Sequence, residues 1–194
     1  MALCAGVLRQ YLSGRGELPD EPLVGMIPVS VRDKSDRPGR NQVSGMFSRM
    51  ETHIADPAER LRAIAKANST AKEHSSAIAA TLLQDWSQFA APAVFGVAMR
   101  VYSSSRLTGS RPVHNLVISN VPGPQMPLYF QGAEIKAMYP LGPIFHGSGL
   151  NITVMSLNGK LDVGIISCPE LLPDLWDLAD DFAVGLDELL SAKP

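Results

Sequence analysis

The stretch LNITVMSLNGKLDVGIIS, residues 150–167, sets the fold class. Leu150 to Leu157 and Leu161 to Ser167 read as strands, and the Asn158-Gly159 pair between them favours positive φ, the requirement of a tight type I′ hairpin turn. Upstream, His114 to Val121 carries Leu116, Val117, Ile118 and Val121 and runs into Pro122-Gly123-Pro124, through which neither a helix nor a sheet ladder continues. That is a buried strand ending in a forced turn. Downstream of Pro173, Leu175, Leu178, Ala179, Phe182, Leu186, Leu189 and Leu190 trace one face of a helix, which should lie on the sheet.

Working back from this hairpin, Asp56-Pro57-Ala58-Glu59 is a helix start: an Asp cap, Pro at the first helical position and Glu three residues after the cap. Leu61, Ile64 and Ala65 give that helix an apolar side, and Ile78, Leu82, Trp86 and Phe89 repeat at helical spacing beyond it. Residues 56–105 are therefore expected to be helical, broken near Asn68–Thr70 and at Pro92, with Trp86 and Phe89 in the core. Val24 to Val31 reads as a short strand interrupted by Pro28, Arg32 to Arg40 as a solvated loop, and Asn41 to His53 as a second strand. Leu3, Val7, Leu8, Tyr11 and Leu12 form a helical face with no capping residue or polar lead-in, so the chain is expected to start inside a helix. Strands interleaved with helices make this an α/β domain.

At about 150 residues per domain, 194 residues make one large domain or one lobe of something larger. Hydrophobic residues at 45% and charged residues at 19% supply a core and exclude wholesale disorder. Lys+Arg 17 against Asp+Glu 19 leaves a net charge of −2, which provides no field to gather nucleic acid. The longest apolar stretch, Phe89 to Tyr102, contains Pro92 and Arg100 and is too short to span a bilayer. Met1 to Leu8 lacks the basic region of a signal peptide. With Cys4 and Cys168 as the only cysteines, a disulfide framework is not expected, and the location expected is the cytoplasm.

Self-contained catalytic constellations are not found. His53, His74, His114 and His146 share no metal-ligand spacing with each other or with cysteine, so no metal is expected. Gly147-Ser148-Gly149 lacks the spacing of a nucleophile elbow and leads into a strand rather than a helix. Phosphate-binding and dinucleotide fingerprints are absent, and no cofactor is implied. Cys168 with His146 could be drawn as a nucleophile pair, but a buried inert cysteine is the commoner arrangement. What stands out is Ser119-Asn120 before the Pro-Gly-Pro break and Phe145-His146-Gly147-Ser148-Gly149 before the hairpin. Polar side chains and glycines at strand ends are the usual ingredients of a pocket wall.

Those two segments carry a likeness. Ile118-Ser119-Asn120-Val121-Pro122-Gly123-Pro124, Gly147-Ser148-Gly149-Leu150-Asn151-Ile152 and Ser156-Leu157-Asn158-Gly159-Lys160-Leu161, with Gly39-Arg40-Asn41-Gln42-Val43-Ser44, resemble the C-terminal half of the bacterial wax ester synthase/diacylglycerol acyltransferase family, in its actinobacterial style. The resemblance runs from residue 1 to the terminal helix. It implies one lobe of the chloramphenicol-acetyltransferase-like, CoA-dependent acyltransferase fold, a mixed sheet covered by helices, facing a similar lobe across a tunnel.

It further implies transfer of a long-chain acyl group from acyl-CoA, as substrate, to diacylglycerol or a long-chain alcohol in triacylglycerol synthesis. The family's general base is the second His of a His-His-x-x-x-Asp-Gly motif in the N-terminal lobe. No two histidines are adjacent here, so residues 1–194 are expected to be the C-terminal lobe without its catalytic partner. By the same resemblance, Ser119 and Asn120 would offer hydrogen bonds beside the thioester, Gly123 and Gly147 close-approach backbone, and His146 and Asn151 further substrate contacts. Catalytic residues are expected elsewhere. A non-catalytic acyl- or lipid-binding scaffold is the alternative, and a lone lobe should expose an apolar patch that favours lipid surfaces.

Overall fold

A computed structural model of the chain describes residues 1–30, 43–69, 114–144 and 147–192. The expected loop at 32–40, most of the helical tract to residue 105, and His74, Trp86, Phe89 and His146 lie outside the described residues.

The elements in chain order are α1 (Ala2–Gly14), β1 (Val24–Ser30), β2 (Val43–Arg49), α2 (helical over the described residues 57–69), β3 (Leu116–Pro122), β4 (Leu128–Phe130), β5 (Ala133–Ile135), β6 (Leu150–Leu157), β7 (Lys160–Ser167) and α3 (Leu175–Ser191). Five strands form one mixed sheet in the order β2-β1-β3-β6-β7, antiparallel at both ends and parallel across β1-β3-β6. The α/β expectation holds.

The hairpin turns as its sequence requires: Asn158 and Gly159 have φ of 46° and 78°, and Leu157 pairs with Lys160. Asp56 caps α2, its Oδ1 accepting the N–H of Glu59 at 2.7 Å. β2 stops at Arg49, short of the expected His53, because Glu51 at φ 49° turns the chain. β3 is buried only over Leu116, Val117 and Ile118; from Ser119 it leaves the core, so the expected buried strand is half exposed.

Leu116, Ile118, Leu150 and Ile152 point from one sheet face into a core completed by Val7, Leu8, Tyr11, Leu178 and Phe182 of α1 and α3. Burying each large aliphatic side chain contributes about 1.5–3 kcal/mol, which is what holds the helical layer on the sheet. The two helices cross at Gly185, where an added Cβ would sit 2.9 Å from Val7 Cγ2. On α3, Leu190 is 75% exposed, so the apolar face expected there does not bury its last turn.

Arg60 on α2 is fully buried beside this layer. Its Nη1 donates to the carbonyls of Ile54 and Ala55 at 2.9 and 3.1 Å, and its Nη2 lies 3.6 Å from Glu188 of α3. Burial pushes the guanidinium below its ordinary pKa, with Glu188 opposing the shift. Gly6 makes room, because a Cβ there would stand 3.0 Å from Nη2.

Gly185→Val should cost about 1–3 kcal/mol by overpacking the helix crossing. Asp56→Ala should cost about 1 kcal/mol through loss of the α2 cap. Urea unfolding midpoints measure both.

A cleft where two parallel strands part

The sheet face away from α1 and α3 carries a cleft of about 480 Å³. Its origin lies in one residue of β1. Val24 turns both backbone groups toward β3, its N–H donating to Asn115 Oδ1 at 2.7 Å and its C=O accepting the Asn115 N–H at 2.8 Å. With the two-residue period of a strand, Met26 and Pro28 turn the same way. Pro28 has no N–H to give. The β1–β3 ladder accordingly joins only Gly25 and Met26 to Leu116 and Val117, while β1 stays with β2 to Ser30 and β3 stays with β6 to Pro122. Pro28 does not interrupt the strand, as the sequence suggested; it ends the strand's pairing on one side.

The same period puts Val117, Ser119 and Val121 of β3, and Asn151 and Thr153 of β6, on the cleft face together with Met26 and Pro28. Gly45 of β2, opposite Pro28, lines it too. The other wall is the segment 138–143, strapped across β6 and β7. Met138 N–H donates to Asp162 Oδ2 at 2.7 Å, and Asn151 Nδ2 donates to the Pro143 carbonyl at 2.9 Å. Gly164 lets the strap down, since a Cβ there would lie 1.8 Å from the Pro140 carbonyl oxygen. Gly142 in turn seats on the Asn151 amide.

The expected site residues separate. Ser119 lines the cleft, and among the described residues its hydroxyl has no hydrogen-bond partner. Asn120 points to the opposite face and is exposed, so it does not share the cleft with Ser119. Gly123 allows a close approach, but to protein: a Cβ there would stand 2.2 Å from the Ser156 carbonyl oxygen, and its N–H reaches Ser156 Oγ at 3.3 Å. Gly147 is an exposed turn residue at φ 82°. Asn151 is 3% exposed, and its amide is engaged at both ends, Oδ1 accepting from Thr153 Oγ1 at 2.8 Å while Nδ2 holds the strap. It builds the wall rather than offering a free contact.

Pro28, Gly45 and the strap were not anticipated, although Pro140-Leu141-Gly142-Pro143 is itself a turn-rich signal. A second hairpin, β4–β5, was also missed. Its Gln131 and Gly132 take φ of 54° and 83°, a left-handed pair without the Asn or Asp that usually advertises one.

No ionisable side chain lines the cleft among the described residues. Its described lining is apolar apart from the Ser119 hydroxyl and the Asn151–Thr153 pair, so it can hold an apolar chain and offer a hydroxyl. Ser148 is buried and among the described residues its hydroxyl has no partner, and Cys168 donates its thiol hydrogen to Glu170 Oε2 at 2.7 Å, holding that carboxyl below its ordinary pKa. Burial raises the Cys4 thiol pKa. Among the described residues no three His, Cys, Asp or Glu side chains group to hold a metal, and no helix is long and apolar enough to cross a membrane.

Comparison with known proteins accounts for nearly the whole chain. Residues 40–190 match the family model described as the WS/DGAT C-terminal domain. A Mycobacterium tuberculosis protein named as a diacylglycerol O-acyltransferase is 57% identical over 193 residues, covering 100% of this chain and 38% of its own length. The solved wax ester synthase/diacylglycerol acyltransferase of Marinobacter aquaeolei VT8 superposes with a TM-score of 0.73 at 31% identity, over 97% of this chain and 41% of that one. The starter condensation domain of the rhizomide synthetase RzmA shares the fold alone, with a TM-score of 0.52 at 16% identity over 99% of this chain and 42% of that one. The chain thus spans about two fifths of the length of its relatives.

Asn151→Leu should cost about 1–3 kcal/mol, because it leaves the Pro143 carbonyl and the Thr153 hydroxyl unpaired, and amide exchange across 138–144 should speed up. Ser119→Ala, with no bond to lose among the described residues, should stay within about 0.5 kcal/mol of wild type. A further effect is set by His114, at the start of β3 with its ring tilted against Phe47. Burial lowers its pKa. The unfolded chain therefore takes up this proton more readily, and stability present above the unfolded pKa is lost as pH falls through that value toward the folded one. His114→Gln should flatten the drop in Tm between about pH 7 and about pH 5.

Proposed function

This chain belongs to the wax ester synthase/diacylglycerol acyltransferase family, matching its C-terminal domain, and from that premise we propose that it is the C-terminal lobe of an O-acyltransferase. The reaction is transfer of a long-chain acyl group from acyl-CoA to the hydroxyl of diacylglycerol or a long-chain alcohol. The acceptor oxygen bonds to the thioester carbonyl carbon, the C–S bond breaks, and CoA leaves as the thiol carrying the proton lost by the hydroxyl. No cofactor is required.

What carries the reading is the pairing of a family match along the chain with a cleft that holds no acid or base among the described residues. Such a lobe contributes binding: apolar walls from Met26, Val117, Val121 and Leu141 suit the acyl chain, and the Ser119 hydroxyl can donate to the thioester oxygen. The general base then comes from a separate N-terminal lobe bearing the adjacent-histidine motif. Tyr129, Phe130, Tyr139 and Leu141 are each 65–70% exposed, an apolar surface suited to contact with that lobe or with a lipid surface in the cytoplasm.

The test is a labelled acyl-CoA transfer assay to diacylglycerol, with the chain alone and with a co-expressed N-terminal lobe. Activity only in the mixture is expected, falling about tenfold in Ser119→Ala if one charge-stabilising bond to the thioester oxygen is lost. Ordinary turnover by the chain alone would overturn the reading, and no activity in either would leave a lipid-binding scaffold.

A further inference from the structure

A second cavity, of about 170 Å³, opens on the opposite face of the sheet from the cleft, at the starts of β3 and β6. Strand alternation keeps the two apart: Leu116 and Leu150 line this cavity, while their chain neighbours Val117 and Asn151 line the cleft. Its floor is Leu8 and Tyr11 of α1 with Leu116 and Leu150, each less than one-tenth exposed, and Leu171, at 62% exposed, stands at its mouth. Two exposed polar side chains join these walls, Asn115 and Glu17. The Val24 N–H holds Asn115 Oδ1 at 2.7 Å, which leaves the Nδ2 donor unpaired among the described residues. Glu17 Oε2 accepts from Arg15 Nε at 3.2 Å, and its other oxygen has no bond among the described residues. Arg15 in turn bonds Asp174 at 3.0 Å and lies 5.4 Å over the Tyr11 ring, which anchors the Glu17 carboxylate beside the cavity.

An aliphatic pocket rimmed by one donor and one acceptor suits a ligand whose head group both accepts and donates. A hydroxyl does so with a single oxygen. A carboxylate would meet Glu17 as a like charge, and an ammonium has no lone pair for the Asn115 amide. At roughly 30 Å³ for a methylene group, about the share of one water, the cavity takes about six carbons. We propose that this cavity binds a short aliphatic alcohol of about six carbons, its chain on Leu8, Leu12, Leu116 and Leu150 and its hydroxyl accepting from Asn115 Nδ2 while donating to Glu17. The site is separate from the cleft, and the inference does not depend on the acyltransferase reading.

The experiment is titration of the 194-residue chain with 1-butanol, 1-hexanol, 1-octanol, hexanoate and hexylammonium, followed through methyl signals in proton–carbon correlation spectra. 1-Hexanol should shift the Leu12, Leu116 and Leu150 methyl signals saturably and bind about fifteenfold tighter than 1-butanol, the ratio that two more buried methylenes give. 1-Octanol should gain no more than about twofold over 1-hexanol, because its chain outgrows the cavity. Hexanoate should bind about tenfold more weakly than 1-hexanol, and Glu17→Gln, at an exposed position, should bring it within about threefold by removing the like charge. Should Glu17→Gln fail to fold by circular dichroism, the chain-length series and the head-group comparison on the unmodified chain decide. Saturable shifts confined to Val117 and Val121 would put the alcohol in the cleft and overturn the inference, as would no shift at the three leucines. Tighter binding of hexylammonium than of 1-hexanol overturns the choice of head group, and equal binding of hexanoate and 1-hexanol by the unmodified chain overturns the part given to Glu17. The acyltransferase reading stands in each case.

Discussion

A proline has no amide hydrogen, and in β1 the place where that hydrogen is missing faces a parallel neighbour. Pro28 can pair with Gly45 on the β2 side through the register of the antiparallel ladder, but it cannot donate to β3. Two parallel strands that begin side by side at Gly25 and Leu116 therefore part after Met26 and Val117, each remaining bonded to its outer neighbour. The cleft and its lining from four strands follow from that one absent donor. Proline is usually confined to sheet edges; here it makes an edge within a sheet.

The two faces of the sheet then have different duties. One is sealed by α1 and α3, whose crossing at Gly185 and whose buried Arg60 link fix the helical layer as a unit with α2. The other face is covered by a strap rather than a helix, and polar groups do the fixing: Asp162 and Asn151 each bond a main-chain group of 138–143, and Gly164 and Gly142 permit contact too close for any side chain. Because both buried polar side chains are satisfied by the strap, they stabilise it without adding a reactive group to the cavity.

An acyltransferase needs an apolar channel, a hydrogen-bond donor near the thioester oxygen and a base for the hydroxyl. The described part of the chain supplies an apolar cleft and a hydroxyl that faces it, and no ionisable side chain among the described residues lines that cleft. A surface with this inventory is suited to binding an apolar ligand.

Local chemistry determined much of this protein from sequence alone. The Asn158-Gly159 hairpin, the Asp56 cap, the first and last helices and the α/β class follow from turn preference, capping and helical periodicity, which act over a few residues and leave direct marks. The likeness carried by Ser119 to Pro124 and Gly147 to Ile152 pointed to the family as well. Tertiary structure alone decided what depends on which residues meet across the sheet. Ser119 and Asn120 are adjacent in sequence, yet strand alternation sends one into the cleft and the other away from it. Asn151 resembles a free polar contact until the strap is seen to occupy its amide, and Pro28 resembles a strand breaker until its missing donor is seen to face β3. Sequence gives the kind of group at each position; only the pairing of strands distant in the chain gives its direction and its partner, and those two properties make the site.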